Sequence, residues 1–400
     1  MKVSMSLPIF GQTPAAPAPY GMPWLRLAFR PFYLGAALLA ALIVPLWVAM
    51  FLGAITLAPT PPPLLWHAHE MLFGFAVAVI VGFLMTAGKT WTGLATPRGP
   101  ALGLLILLWF SARVTSLVAP YSVFAVLDLA LLHIVGLIFL RLLVRSRNWR
   151  NVPLALILLL LSLVNLTFHL SANGMINLAP MRSLYAGLGF IVMIECVMAG
   201  RVVPFFTATA LSIKIEPVVW LERSVLATTA IGLVLWVADW HSGLAAAALA
   251  LASVLNLSRQ LRWHPLATLS RPIVWILHFS YLWLSLGLAL LAMAQLGWVA
   301  ASLGVHALAV GATGGLIIGM MTRTSRGHTG RVLKVDTLET VAYLLVMLAA
   351  VLRVLLPLVM PSWYSYALMS SASAWSAAFL IFMWRYTPWL VAARGDGKDG

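Results

Sequence analysis

Apolar residues in this chain come in long runs separated by short polar connections. A helix needs about 20 apolar residues to cross the hydrocarbon core of a bilayer. Runs of that kind fall at 32–54, 67–87, 101–118, 124–144, 152–170 and 183–203. A second set falls at 224–240, 244–257, 273–296, 299–321, 338–357 and 364–383, the 244–257 run being short and Ala-rich. The pattern predicts an all-α polytopic membrane protein of about twelve transmembrane helices. No connection is long or polar enough to divide it. A single transmembrane domain is expected over 25–390, with cytoplasmic tails at 1–24 and 391–400. The first tail, rich in Pro, Ala and Gly, reads as mobile and shows no short cleavable signal peptide.

The polar connections carry a second pattern. Lys and Arg cluster in every second one: Lys89 and Arg98, then Arg141 to Arg150, then Arg201, Lys214 and Arg223. They return at Arg259, Arg262 and Arg271, at Arg323 to Lys334, and at Arg385 to Lys398. Positive charge marks the cytoplasmic side, so both termini are expected in the cytoplasm. Arg113, Arg182 and Arg353 break the rule by lying near outer helix ends. A misplaced arginine there calls for an anionic partner; Asp128 and lipid phosphate are alternatives to a bound ligand.

Composition agrees. Hydrophobic residues make up 62% of the chain and charged residues 9%, against roughly 25% charged in soluble domains. The formal charge of +15 is scattered between apolar runs rather than gathered into a patch, which argues against nucleic acid and names the lipid bilayer as the partner. Cys196 is the only cysteine, so an internal disulfide and any thiolate cage are excluded.

The candidate chemistry starts at Trp66-His67-Ala68-His69-Glu70-Met71-Leu72-Phe73-Gly74-Phe75. Ionisable groups at the mouth of a membrane helix suggest function, and imidazole suits iron, copper and zinc. His67 and His69 point about 200° apart on a regular helix, so they serve different neighbours. The expected topology puts His306 and His169 at the same outer depth and His278 at the inner end. His306 opens a stretch of small residues through Gly315. Such residues admit either a close helix or a flat macrocycle. Two histidines from separate helices at one depth, flanked by Gly and bulky apolar residues, describe a bis-histidine haem pocket for His67 and His306. Outward-pointing propionates would then meet Arg182 or Arg353. The plainer alternatives are helix packing for the small residues, hydrogen-bonded packing for His133, His241 and His264, and a lipid-phosphate loop around Arg323, Arg326, His328 and Arg331.

Several ordered motifs resemble the NnrS family. They are the Trp66–Phe75 stretch, Asn165-Leu166-Thr167-Phe168-His169-Leu170, Arg201-Val202-Val203-Pro204-Phe205-Phe206-Thr207 and Trp275-Ile276-Leu277-His278-Phe279-Ser280-Tyr281. The segments His306–Ala312 and Met321–Arg331 complete the set. The resemblance implies a haem- and copper-carrying protein of the bacterial inner membrane, linked to nitric oxide metabolism or nitrosative stress, with a b-type haem. Nitric oxide or a redox donor is its implied partner.

A more distant similarity is to subunit I of haem–copper oxidases, also a twelve-helix bundle. There, His67 looks like the low-spin haem ligand of the second helix and His306 like the second member of a His-x-His on the tenth. Gly304 stands where the first member would be, and the seventh span has no histidine. Those departures weigh against an oxidase-type binuclear centre. Copper would then draw on His69, His169 or His278, with Glu195 a weaker candidate. An iron with both axial positions filled is closed to gas, so direct nitric oxide chemistry needs a second, open site, and the residues single out no catalytic group. The alternative function is a haem or copper transporter or insertion factor. A cofactor-free permease would call for broken helices and an inverted repeat.

Overall fold

The computed structural model describes residues 21–57 and 59–398. Most of the expected N-terminal tail lies outside the described residues. Among those described, twelve helices are long and apolar enough to cross a membrane. They are α1 (Phe29–Phe51), α2 (Pro63–Thr92), α3 (Pro100–Val118), α4 (Tyr121–Arg145), α5 (Trp149–Ala172) and α6 (Pro180–Leu211). The second half comprises α7 (Val219–Ala238), α8 (Ser242–Leu261), α9 (Pro272–Gln295), α10 (Ala301–His328), α11 (Thr337–Val359) and α12 (Pro361–Val391). The Ala-rich eighth run is a full helix. No strand occurs among the described residues.

Local chemistry sets the helix ends. Proline opens α2, α3, α6 and α9, where its missing N–H costs no hydrogen bond. Gly93 closes α2 at φ 68°, a left-handed conformation that glycine adopts without a Cβ clash. Asp336 and Glu339 form a reciprocal capping box at the start of α11. Helix α6 extends beyond the expected apolar run of 183–203, through Pro204, to Leu211. Loss of one donor inside a bundle is tolerated when neighbours pack the bend.

Consecutive helices pack side by side, and α12 returns to lie against α1. Three helices form the interior. The central window is 78% buried in α2 and 72% buried in α9 and α10, against 33% in α3 and α7. Two interior helices are interrupted. A π-helical turn covers Glu70–Ala76 in α2, immediately after His69, and another covers Ala307–Gly314 in α10, immediately after His306. Such turns are rare and gather at functional sites.

The small-residue stretch of α10 is a packing surface. A Cβ on Gly304 would lie 2.8 Å from the Leu291 backbone nitrogen. Gly311 faces Trp283 and Gly314 faces Trp375. Neighbouring helices therefore occupy the glycine faces, and the Gly304 position of the oxidase comparison turns toward α9. At the inner end, Arg30 is fully buried and donates to the carbonyls of Leu390 and Ala392 at 2.8 and 2.7 Å, closing the last turn of α12. Arg326 holds Glu339 through two hydrogen bonds of 2.9 and 2.6 Å, so this arginine of the basic loop is committed to the protein.

Candidate functional site

The two faces of α2 beside its π turn open on different surroundings. Antiparallel alternation brings the start of α2, α6, α10 and α12 and the end of α1 to the end of the bundle assigned outward by charge, called the outer end below. A cavity of about 290 Å³ lies there. His67, His306 and Arg353 line it, among apolar walls from Trp47, Phe75 and Trp375. The His67 ring stacks on Trp47 with centroids 4.2 Å apart and an interplanar angle of 19°, and its Nδ1 is buried without a partner. His306 Nδ1 lies 2.7 Å from the Ser302 carbonyl. A carbonyl only accepts, so Nδ1 carries the hydrogen and Nε2 keeps a lone pair.

Arg353 is 6% exposed. Its hydrogen bond goes to Tyr364 Oη at 3.4 Å, with the guanidinium 5.5 Å from that ring's centroid. No carboxylate among the described residues pairs with it. A buried cation without a counter-ion is costly, and a cavity that holds one is suited to an anionic ligand group. Arg182 does not join the wall. It pairs with Asp239 at 2.7 Å on an exposed rim, so of the two expected propionate partners the structure brings only Arg353 to the histidines.

On the opposite face of α2, His69 enters a cluster drawn from α2, α3, α4 and α5. Arg113 pairs with Glu70 Oε1 at 2.7 Å and in close contact with Asp128 Oδ1. Asn165 Nδ2 donates to Asp128 Oδ2 at 2.6 Å. His69 Nε2 lies 3.2 Å and His169 Nε2 3.1 Å from that same oxygen. His69 Nδ1 faces Glu70 Oε1 at 3.4 Å, and His169 Nδ1 faces Tyr121 Oη at 3.0 Å. All the charged members are buried. One guanidinium faces two carboxylates, so the cluster lacks one positive charge. Either an extra proton or a bound cation supplies it.

His69, Asp128 and His169 could hold the cation: their donor atoms lie within 4.8 Å of one another. A metal-binding imidazole usually gives its other ring N–H to an oxygen, and Glu70 and Tyr121 stand at those positions. Two imidazoles and a carboxylate suit Cu(II) or non-haem Fe(II). Sequence reasoning offered Asp128 as a partner for the outer arginines and flagged His69 and His169 singly, but not the convergence of all four. The available signal was their shared outer depth together with an arginine on the wrong side.

The remaining candidate stands apart. His278 Nε2 meets Thr207 Oγ1 at 2.8 Å near the inner end, joined to neither group above. His133 bonds Ser162 and its own helix carbonyl at Leu129, a packing role as expected.

Against family models, residues 23–394 match the NnrS protein family. That span is nearly the whole chain, and the chain belongs to this family. A search of curated proteins gives no match.

Proposed function

We propose that this NnrS-family membrane protein, linked through its family to nitric oxide, holds haem in the outer cavity and a second metal in the neighbouring cluster. The observation that carries the reading is the convergence of His67, His306 and unpaired Arg353 on one cavity between interior helices. The residues fit the group. His306 keeps a lone pair on Nε2, Trp47 fixes the His67 plane, apolar walls suit a macrocycle, and Arg353 offers an unused cation to a propionate.

Haem held by His67 and His306 would supply a one-electron centre. Trp47 and the Ser302 carbonyl keep the rings oriented, and the aromatic walls exclude water. Copper bound by His69, Asp128 and His169 would lie across the same helix, with Glu70 and Tyr121 orienting the imidazoles. His169 and Asp128 are each 4% exposed and His69 and Glu70 are fully buried, so this centre is sealed and suited to electron storage or transfer. The reading therefore assigns the protein to redox handling in the bacterial inner membrane during nitrosative stress.

The test is the haem and metal content of the purified chain with oxidised and reduced optical spectra. Wild type is expected to show six-coordinate haem. His67→Ala and His306→Ala should each remove or alter that spectrum, while His133→Ala should leave it unchanged. Wild-type protein free of haem would overturn the reading.

A further inference from the structure

A second cavity, of about 90 Å³, lies deeper in the bundle, below the outer one. Thr313 lines both. A water needs about 10–15 Å³ of such space, so a few fit. The lining is almost wholly apolar, and its one carboxyl is Glu195 of α6. No cation among the described residues pairs with this carboxyl. Its Oε2 is buried and unpartnered, as are Thr313 Oγ1 and Tyr33 Oη on the same wall. Thr313 stands beside the carboxyl, short of hydrogen-bond geometry. Around the cavity, α1 contributes Tyr33 and α10 contributes Thr313, while α2 and α9 present apolar side chains only. Tyr33 lies toward the inner end, with Thr324 of α10 next to it.

An unpaired carboxyl in mid-membrane is costly and marks ion or proton pathways. Three polar groups without hydrogen-bond partners border a space that holds water, and water there links them into a chain. We infer that Glu195 exchanges protons with the inner end through Tyr33 and balances, across Thr313, the charge that an electron brings to the outer cavity. An external one-electron donor supplies that electron. The Glu195 carboxylate takes up one proton and becomes the neutral acid; re-oxidation returns the proton by the same route. The inference rests on the haem reading of the outer cavity.

The experiment is an optical redox titration of the full chain in lipid nanodiscs at a series of pH values, after haem content is measured. Wild type should lose electron affinity by up to tenfold per pH unit over part of the range, equivalent to about 59 mV for one electron. Glu195→Gln should keep its haem but show a flat profile, Glu195→Asp should restore the slope, and Thr313→Val should weaken it. Equal slopes in wild type and Glu195→Gln, with haem present in both, would overturn the relay. Haem-free wild type would remove the premise, and the inference with it.

Discussion

The two faces of α2 hold histidines two residues apart in opposite electrostatic settings. His69 lies in a cluster where nearly every polar atom has a partner and no solvent-sized space remains. His67 borders an open cavity whose one cation, Arg353, has no counter-ion. Buried polar groups that satisfy one another set helix positions. Those left unsatisfied beside a cavity await something from outside. The contrast separates a tightly bonded cluster, short of one positive charge, from a cavity that the bundle keeps open, although both use imidazole at the same depth.

The largest expected effect tests the closed side. Arg113→Ala strips the guanidinium from Glu70 and Asp128 and leaves two buried carboxylates facing each other. Removing one partner of a buried pair costs about 3–5 kcal/mol. Thermal unfolding in detergent should show a large loss of stability, or the variant should fail to accumulate. A melting profile equal to wild type would mean that solvent or a metal already neutralises the carboxylates. The matching change on the open side, Arg353→Gln, breaks no ion pair within the protein and gives up only the Tyr364 contact, so the melt of haem-free protein should shift less than for Arg113→Ala, while the haem-loaded protein's absorbance or potential changes.

His69→Ala sharpens the comparison at a smaller scale. It orphans Asn165 Oδ1 and removes one contact of Asp128 Oδ2; an unsatisfied buried group costs about 1–3 kcal/mol. Second-metal content should fall while haem content stays. His306→Ala should do the reverse, since its ring gives up only one hydrogen bond, to its own helix. Identical metal and haem losses in both variants would erase the distinction between the faces.

How much of this was legible beforehand follows from the range of the interactions. The spans were readable because hydrophobicity along a helix is local and the bilayer fixes its length. The opposed directions of His67 and His69 were readable from helical period, and the split between two sites follows it. Arg113 announced itself by breaking the charge pattern, and Asp128 was one of the anionic partners offered for it. Convergence of His69 with His169 depends on how α2 packs on α5, which no local signal encodes. The π turns after His69 and His306 depend on tertiary packing in the same way. The small residues of α10 left two readings open, and contacts from Leu291, Trp283 and Trp375 decide for helix packing. Gly304→Ala should therefore cost about 1–3 kcal/mol through overpacking, seen in the melt, and disturb haem only through the shift of His306.

The smallest effect belongs to Arg182, which the charge pattern placed beside Arg353 as a propionate partner. The two outer arginines differ in environment. Arg353 is sealed in the wall, whereas the Arg182 and Asp239 side chains are 42% and 68% exposed. Solvent screens such a pair, and exposed ion pairs contribute about 0–1 kcal/mol. Arg182→Gln is expected to shift stability by no more than that and to leave haem content, absorbance and potential at wild-type values. A change in potential as large as that of Arg353→Gln would mean that Arg182 swings from Asp239 into the cavity when the cofactor binds. The propionates would then be held by both arginines, and the rim would count as part of the open site.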